Sequence, residues 1–229
     1  MVPIYEELWN DAVAAFERGE PQIDPHLSNK ANDLRRGVTL IARSAPSVRD
    51  AVAAFMKCLA AVCPAQYFYR PDELHVTVLS IISGTELWRR EIRRIPQCQR
   101  VIRDVLKAHR PFEIKFQGVT ASPAGVMIQG FPADNTLAAI RDELRDAFSR
   151  NGLGDMLDRR YKISGAHMTV MRFSEPPMRA HTDLKLLLAI LKANRDTMFG
   201  QTEVDRLQLI FNDWYASADT VRMLGEYEI

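Results

Sequence analysis

One short stretch occurs twice in this chain and limits its fold more than any other feature. Leu74-His75-Val76-Thr77-Val78 and Ala166-His167-Met168-Thr169-Val170 each set a His-x-Thr triplet in apolar, β-branched sequence. Val, Ile and Thr at this density favour a strand. Side chains alternate faces along a strand, so His75 and Thr77 point the same way, as do His167 and Thr169. Two copies far apart in the sequence read as the two halves of one site, or as two unrelated packing histidines. Their setting decides between these.

The setting repeats. Val38-Thr39-Leu40-Ile41-Ala42 reads as a strand. A helix over 48–62, capped by Ser47, places Val52, Phe55, Leu59 and Val62 on one face. A short strand is expected at 66–69, and the first motif strand covers 73–80. Helical sequence fills 86–108 with a break at Pro96, and a strand follows at 112–119. Then the order recurs. A strand at 126–130 precedes a helix over 135–150, capped by Asp134 or Asn135 and stopped by Gly152. The second motif strand spans 166–173. A helix over 183–194 capped by Thr182, a strand at 204–211 and a last strand at 220–228 complete the chain. Each half, about 38–119 and 126–211, therefore reads strand, helix, motif strand, helix, strand.

This order predicts an α+β fold of two pseudo-symmetric lobes. Each lobe is an antiparallel sheet with helices outside, and the motif strands face a central cleft. Residues 1–36 form an extension: a helix over 4–18 with Ile4, Leu8, Trp9, Ala12, Val13 and Phe16 on its apolar stripe, then a polar loop. Residues 37–229 are expected to be one bilobal domain.

Composition narrows the function. A hydrophobic fraction of 47% over 229 residues supplies a real core. Thirty Lys and Arg against 29 Asp and Glu leave a formal charge of +1, which argues against wrapping long duplex nucleic acid. Three cysteines, Cys58, Cys63 and Cys98, contain no Cys-x-x-Cys pair and read as small buried hydrophobes in a reducing compartment. The N-terminal residues carry no secretory pattern, and the apolar run Ala51–Cys63 is too short to span a bilayer. The expectation is a cytoplasmic monomer with no membrane partner.

The other histidines lack this setting. His26 belongs to a His-x-Ser in a polar loop and reads as a surface residue. His109 closes a helix, where an imidazole suits the C-terminus, and His181 precedes one. His75 and His167 instead hold the same slot of a repeated order.

Paired His-x-Thr-apolar strands in a duplicated α+β chain resemble the two-histidine (2H) phosphoesterase superfamily. That superfamily includes RNA 2′,3′-cyclic phosphodiesterases once called 2′-5′ RNA ligases. The resemblance covers about residues 38–229 and rests on His75, Thr77, His167 and Thr169. Arg172 also resembles the family, which often has Arg five residues after the second His, although simple alternation puts it on the face opposite His167.

The resemblance implies catalytic roles for His75 and His167 and substrate binding by Thr77, Thr169 and Arg172. Two imidazoles on opposite walls can activate water on one side of phosphorus and protonate the leaving oxygen on the other. Threonine hydroxyls can donate to the non-bridging oxygens. No carboxylate stands at ligand spacing from either His, so no metal and no cofactor are expected. The expected substrate is a small cyclic nucleotide or an RNA terminus. The competing readings are hydrolysis of 2′-5′ linked oligonucleotides, hydrolysis of an ADP-ribose cyclic phosphate, and a non-catalytic nucleotide-binding module. Tyr69, Tyr161 and Phe173 read first as packing residues and second as base-stacking ones.

Overall fold

The first motif strand, β3 (His75–Thr85), pairs antiparallel with β1 (Arg36–Arg43). In the computed structural model, which describes residues 3–158, 164–177 and 180–229, β1 continues into a four-stranded sheet. Its order is β3-β1-β8-β9, with β8 at Arg206–Asp213 and β9 at Arg222–Glu228. A second sheet holds the second motif strand, β6 (Met168–Arg172). Its order is β2-β6-β5-β4-β7, with β2 at Tyr67–Phe68, β4 at Phe112–Ser122, β5 at Gly125–Pro132 and β7 at Met198–Val204. All pairings are antiparallel. The α+β class, the two sheets and the helices packed on them agree with the sequence reading.

The helices are exchanged between the sheets. The helix after β1, α2 (Pro46–Val62), packs on β7 of the second sheet. The helix after β5, α5 (Thr136–Arg150), packs towards β3 of the first. The fifth elements exchange too: β4 joins the second sheet and β8 the first. The N-terminal helix α1 (Pro3–Arg18) and α6 (Ala180–Ala193) pack together, with α1 on β4. A short α3 (Trp88–Glu91) and α4 (Ile95–Leu106) lie on the first-sheet side, α4 against β9 and α5. One hydrophobic cluster therefore runs from Val38 and Leu40 of β1 to Leu187 and Leu191 of α6. Each fully buried aliphatic side chain in it contributes about 1.5–3 kcal/mol.

Several local expectations change. Ser47 does not cap α2: Ala45 stands at the cap and Pro46, with its preset φ, opens the helix. The break in 86–108 falls at a 3₁₀ turn, Ile92–Arg94, and Pro96 sits in the first turn of α4, where its missing N–H costs nothing. Thr182 lies inside α6. In place of one strand at 204–211 there are two, β7 and β8. Gly200, with φ of 119°, interrupts the alternation that would have marked β7. Cys58 is exposed, whereas Cys63 and Cys98 are buried; all three are free thiols. At α5, Asp134 accepts the Thr136 N–H (2.8 Å). Gly152 at φ 68° ends it, with Leu153 N–H returning to Phe148 O (2.8 Å). Among the described residues no helix is long and apolar enough to cross a membrane.

Candidate active site

The two motif strands approach each other, and His75, Thr77, His167, Thr169 and Arg172 all line one cleft. All five expected site residues are thus brought together. The presence of Arg172 has a local cause. In β6, Thr169 pairs with Met127 and Met171 with Val126, so Val170 is an extra residue. This bulge resets the alternation. Val170 and Met171 are both buried, and Arg172 turns to the same side as His167.

The same device follows the first motif. Thr77 pairs with Ile41 and Leu79 with Leu40, leaving Val78 extra. Val78 and Leu79 are both buried, and Ser80 occupies the position equivalent to Arg172. Each half of the site is therefore His, Thr, a bulge, then a polar residue. One half ends in a hydroxyl and the other in a guanidinium.

His75 is anchored by its backbone neighbourhood. Its Nδ1 lies 2.7 Å from Glu73 O, so Nδ1–H donates and Nε2 is the atom left for a substrate. The Glu73 carboxylate accepts N–H groups from Arg70 (2.8 Å) and Ala218 (2.9 Å), which ties this turn to the one between β8 and β9. That turn supplies Trp214, Tyr215 and Ala216 to the cleft. Ala216 has φ of 53°, a left-handed conformation costing about 1–2 kcal/mol for a residue with a Cβ. Asp213 holds it there by accepting from Tyr215 N–H (3.0 Å), Ser217 N–H (2.9 Å) and the Ser217 hydroxyl (2.6 Å).

His167 precedes the β6 ladder, and its buried Nδ1 has no hydrogen-bond partner among the described residues. Burial pushes both imidazoles down to about 4, against an ordinary value of 6.5. For His75, the charges of Arg43, His167 and Arg172 add to burial, and the Glu73 carbonyl opposes it. For His167, Arg141 and Arg172 add to burial.

An aromatic wall flanks the pair. Arg172 Nε donates to Tyr69 Oη (2.8 Å), and Tyr67 packs between Tyr69 and Tyr215 with centroids 5.2 and 5.5 Å away. Lys30 Nζ donates to Tyr67 Oη (3.0 Å), and the Tyr215 hydroxyl donates to Asp24 (3.0 Å), so the 20–36 loop braces this wall. Tyr69 is therefore a cleft residue, whereas Phe173 packs on Phe16 (5.3 Å). Tyr161 lies outside the described residues.

His26 is exposed. His109 gains a partner the sequence did not suggest, Glu143, with Nε2 to the carboxylate at 3.1 Å. The side chain of His181, in the first turn of α6, lies outside the description. No cluster of three His, Cys, Asp or Glu side chains that could hold a metal occurs among the described residues.

Two further residues brace the site and carry no sequence signal of their own. Arg141 of α5 is buried. Its guanidinium donates to Thr77 O (2.7 Å), Val78 O (3.1 Å) and Gly165 O (2.8 Å), joining the bulge of one motif to the approach of the other. Tyr5 of α1 is fully buried beside His167, with ring centroids 6.3 Å apart.

Two lobes with a His-x-Thr strand from each meeting in one cleft define a two-histidine phosphoesterase fold. The AKAP7 2′5′ RNA ligase-like domain matches residues 39–220, and the chain belongs to that family, within the two-histidine phosphoesterase superfamily. Among solved structures, TT0787 of Thermus thermophilus is similar at TM-score 0.60 and 15% identity, over 85% of this chain and 97% of that one. E. coli LigT complexed with 3′-AMP is similar at TM-score 0.55 and 13% identity, over 85% and 98%. The Agrobacterium tumefaciens protein ATU0111 is similar at TM-score 0.59 and 15% identity, over 98% and 97%. A match over 98% of this chain takes in α1. No curated protein matches the chain.

Proposed function

We propose that this protein is a phosphodiesterase that opens 2′,3′-cyclic phosphates of nucleotides or RNA ends without a metal. The observation that carries this reading is the cleft itself. Two imidazoles, two hydroxyls and one guanidinium from duplicated strands converge on a single space. In-line displacement at phosphorus needs a base on the entering side and an acid on the leaving side, and two facing imidazoles supply both. Thr77, Thr169 and Arg172 bind the non-bridging oxygens, where negative charge builds in the transition state. The imidazole that acts as base in ring opening acts as acid in ring closure, so the pair serves either direction.

Binding adds to the argument. LigT has been solved with 3′-AMP, which supports a nucleotide ligand for this cleft. The aromatic wall gives a base or ribose an apolar surface. The three free thiols suit a reducing, cytoplasmic setting. The family is described by a 2′-5′ linkage, so 2′-5′ linked oligonucleotides and ADP-ribose cyclic phosphate belong in the test panel.

The test is product analysis of such a panel in excess EDTA. We expect 2′,3′-cyclic nucleotides to be hydrolysed, with His75→Ala and His167→Ala each lowering kcat by about a thousandfold. Full activity in either variant, or nucleotide binding without turnover, overturns the assignment. With both imidazoles held near 4 in the free enzyme, we expect the optimum of kcat/KM on the acid side of 6.5 in a pH–rate profile. A bound phosphate stabilises the imidazolium and moves the kcat profile to higher pH.

A further inference from the structure

The family match begins at residue 39, and α1 lies wholly before it. Yet α1 delivers a side chain to the back of the site. The Tyr5 hydroxyl donates to Gly130 O (3.0 Å) and accepts N–H groups from Ala166 (2.9 Å) and Gly130 (3.3 Å). The β5–β6 ladder ends at the pair Ile128 and Met168. Gly130 and Ala166 are where its next rung would fall. A Cβ on Gly130 would collide with Ala166 O, so the two backbones pass very close there. The Tyr5 hydroxyl fills the gap and takes the part of the missing rung.

Ala166 is the residue before His167. The Tyr5 ring meets the His167 ring edge-on, at 76° between planes, and meets Phe131 on another side at 5.6 Å. From the opposite direction Arg141 holds Gly165 O. Residues 165 and 166 are thus held by one side chain from α5 and one from α1, and His167 follows directly.

We propose that Tyr5 is a positioning residue for His167, and that α1 therefore belongs to the working site rather than being an appendage to it. The proposal rests on the reading of His167 as catalytic. Chemically, Tyr5 touches no reacting atom. It sets the backbone at Ala166 and backs the imidazole, so the reacting nitrogen keeps its place relative to the phosphate. Small displacements of a reacting group carry a large kinetic cost.

The competing account is that Tyr5 merely docks α1. A second hydrogen bond separates the two. The Thr120 hydroxyl donates to the backbone carbonyl of Tyr5 (2.9 Å), which docks the helix without touching the His167 segment. The experiment compares full-length Tyr5→Phe and Thr120→Val. It measures kcat and KM on a 2′,3′-cyclic nucleotide, thermal stability, and side-chain nitrogen-15 NMR of the histidines across pH.

We expect Tyr5→Phe to lower kcat about tenfold or more with KM within about twofold of the parent. The His167 resonances and their titration should move while those of His75 stay. Both variants should lower stability, and Thr120→Val should leave kcat and both histidines unmoved. Unchanged His167 resonances in Tyr5→Phe, or the same response in both variants, overturn the proposal. If the parent protein turns over no cyclic phosphate, the assigned function fails, and the histidine spectra still decide whether Tyr5 positions His167.

Discussion

The two halves of the site differ less in what they present than in what holds it. β3 runs for 11 residues, and His75 lies inside its ladder, paired with Arg43. β6 runs for 5, and His167 stands just outside. The first imidazole is fixed by a carbonyl two residues away. The second is backed by the Tyr5 ring of α1, and the two residues before it are held by side chains from α1 and α5. The halves also end differently, in Ser80 and Arg172. The two halves keep equivalent His and Thr groups at the cleft, while the support behind them and their charge diverge.

The two halves should differ most at their unequal ends. Under the proposed reaction, Arg172→Met should cost about a hundredfold in kcat, because it removes the guanidinium proposed to bind the phosphoryl oxygens. Ser80→Ala, at the equivalent position, should stay within about threefold by the same logic. Steady-state kinetics on one cyclic nucleotide decides it, and equal losses would show that the halves share the work.

Arg141 is the bridge between the halves. Arg141→Met keeps most of the apolar stem and removes the hydrogen bonds to Thr77 O, Val78 O and Gly165 O, so denaturant titration should show a loss of about 2–3 kcal/mol. A loss confined to kcat would mean that the guanidinium acts on the chemistry instead.

The last effect is a pH slope. Both imidazoles are held below 6.5 in the folded protein, so between about pH 4 and 6.5 the unfolded chain binds more protons. Stability should therefore rise with pH across that window and be lost as pH falls through it. Denaturant titrations near the two ends measure the difference, and His167→Asn should reduce it.

Much of this was legible in the residue pattern. The repeated order of elements follows from period-2 and period-3.6 apolar spacing, and that order marked His75 and His167 out from the other histidines. Simple alternation put Arg172 on the wrong face, yet the sequence carries the reason it turns. His-Val-Thr-Val-Leu-Ser and His-Met-Thr-Val-Met-Arg both break strict alternation with two adjacent apolar residues. That doubled apolar pair is the signature of the bulge. Other features leave no local trace. Tyr5 sits one position off the expected stripe of α1, because that helix meets α6 as well as β4 and buries a wider face. Arg141 looks like any helix-surface arginine until tertiary packing surrounds it. The exchange of β4 and β8 between sheets is a long-range pairing, which short-range periodicity does not encode.

That exchange has a consequence for how the molecule is made. The middle of the first sheet pairs β1, near the start of the chain, with β8, near its end. The cleft beside it needs Tyr215 and Ala216, which come later still. Pairings this distant in sequence slow folding, because the intervening loop must be closed before they are rewarded. A chain growing from the ribosome can assemble the β4–β5 hairpin early. It must hold β1 and β3 without their neighbour until about residue 213 has emerged. The cleft is completed only after these residues, so a chain that stops short of them presents an exposed strand edge and an incomplete cleft.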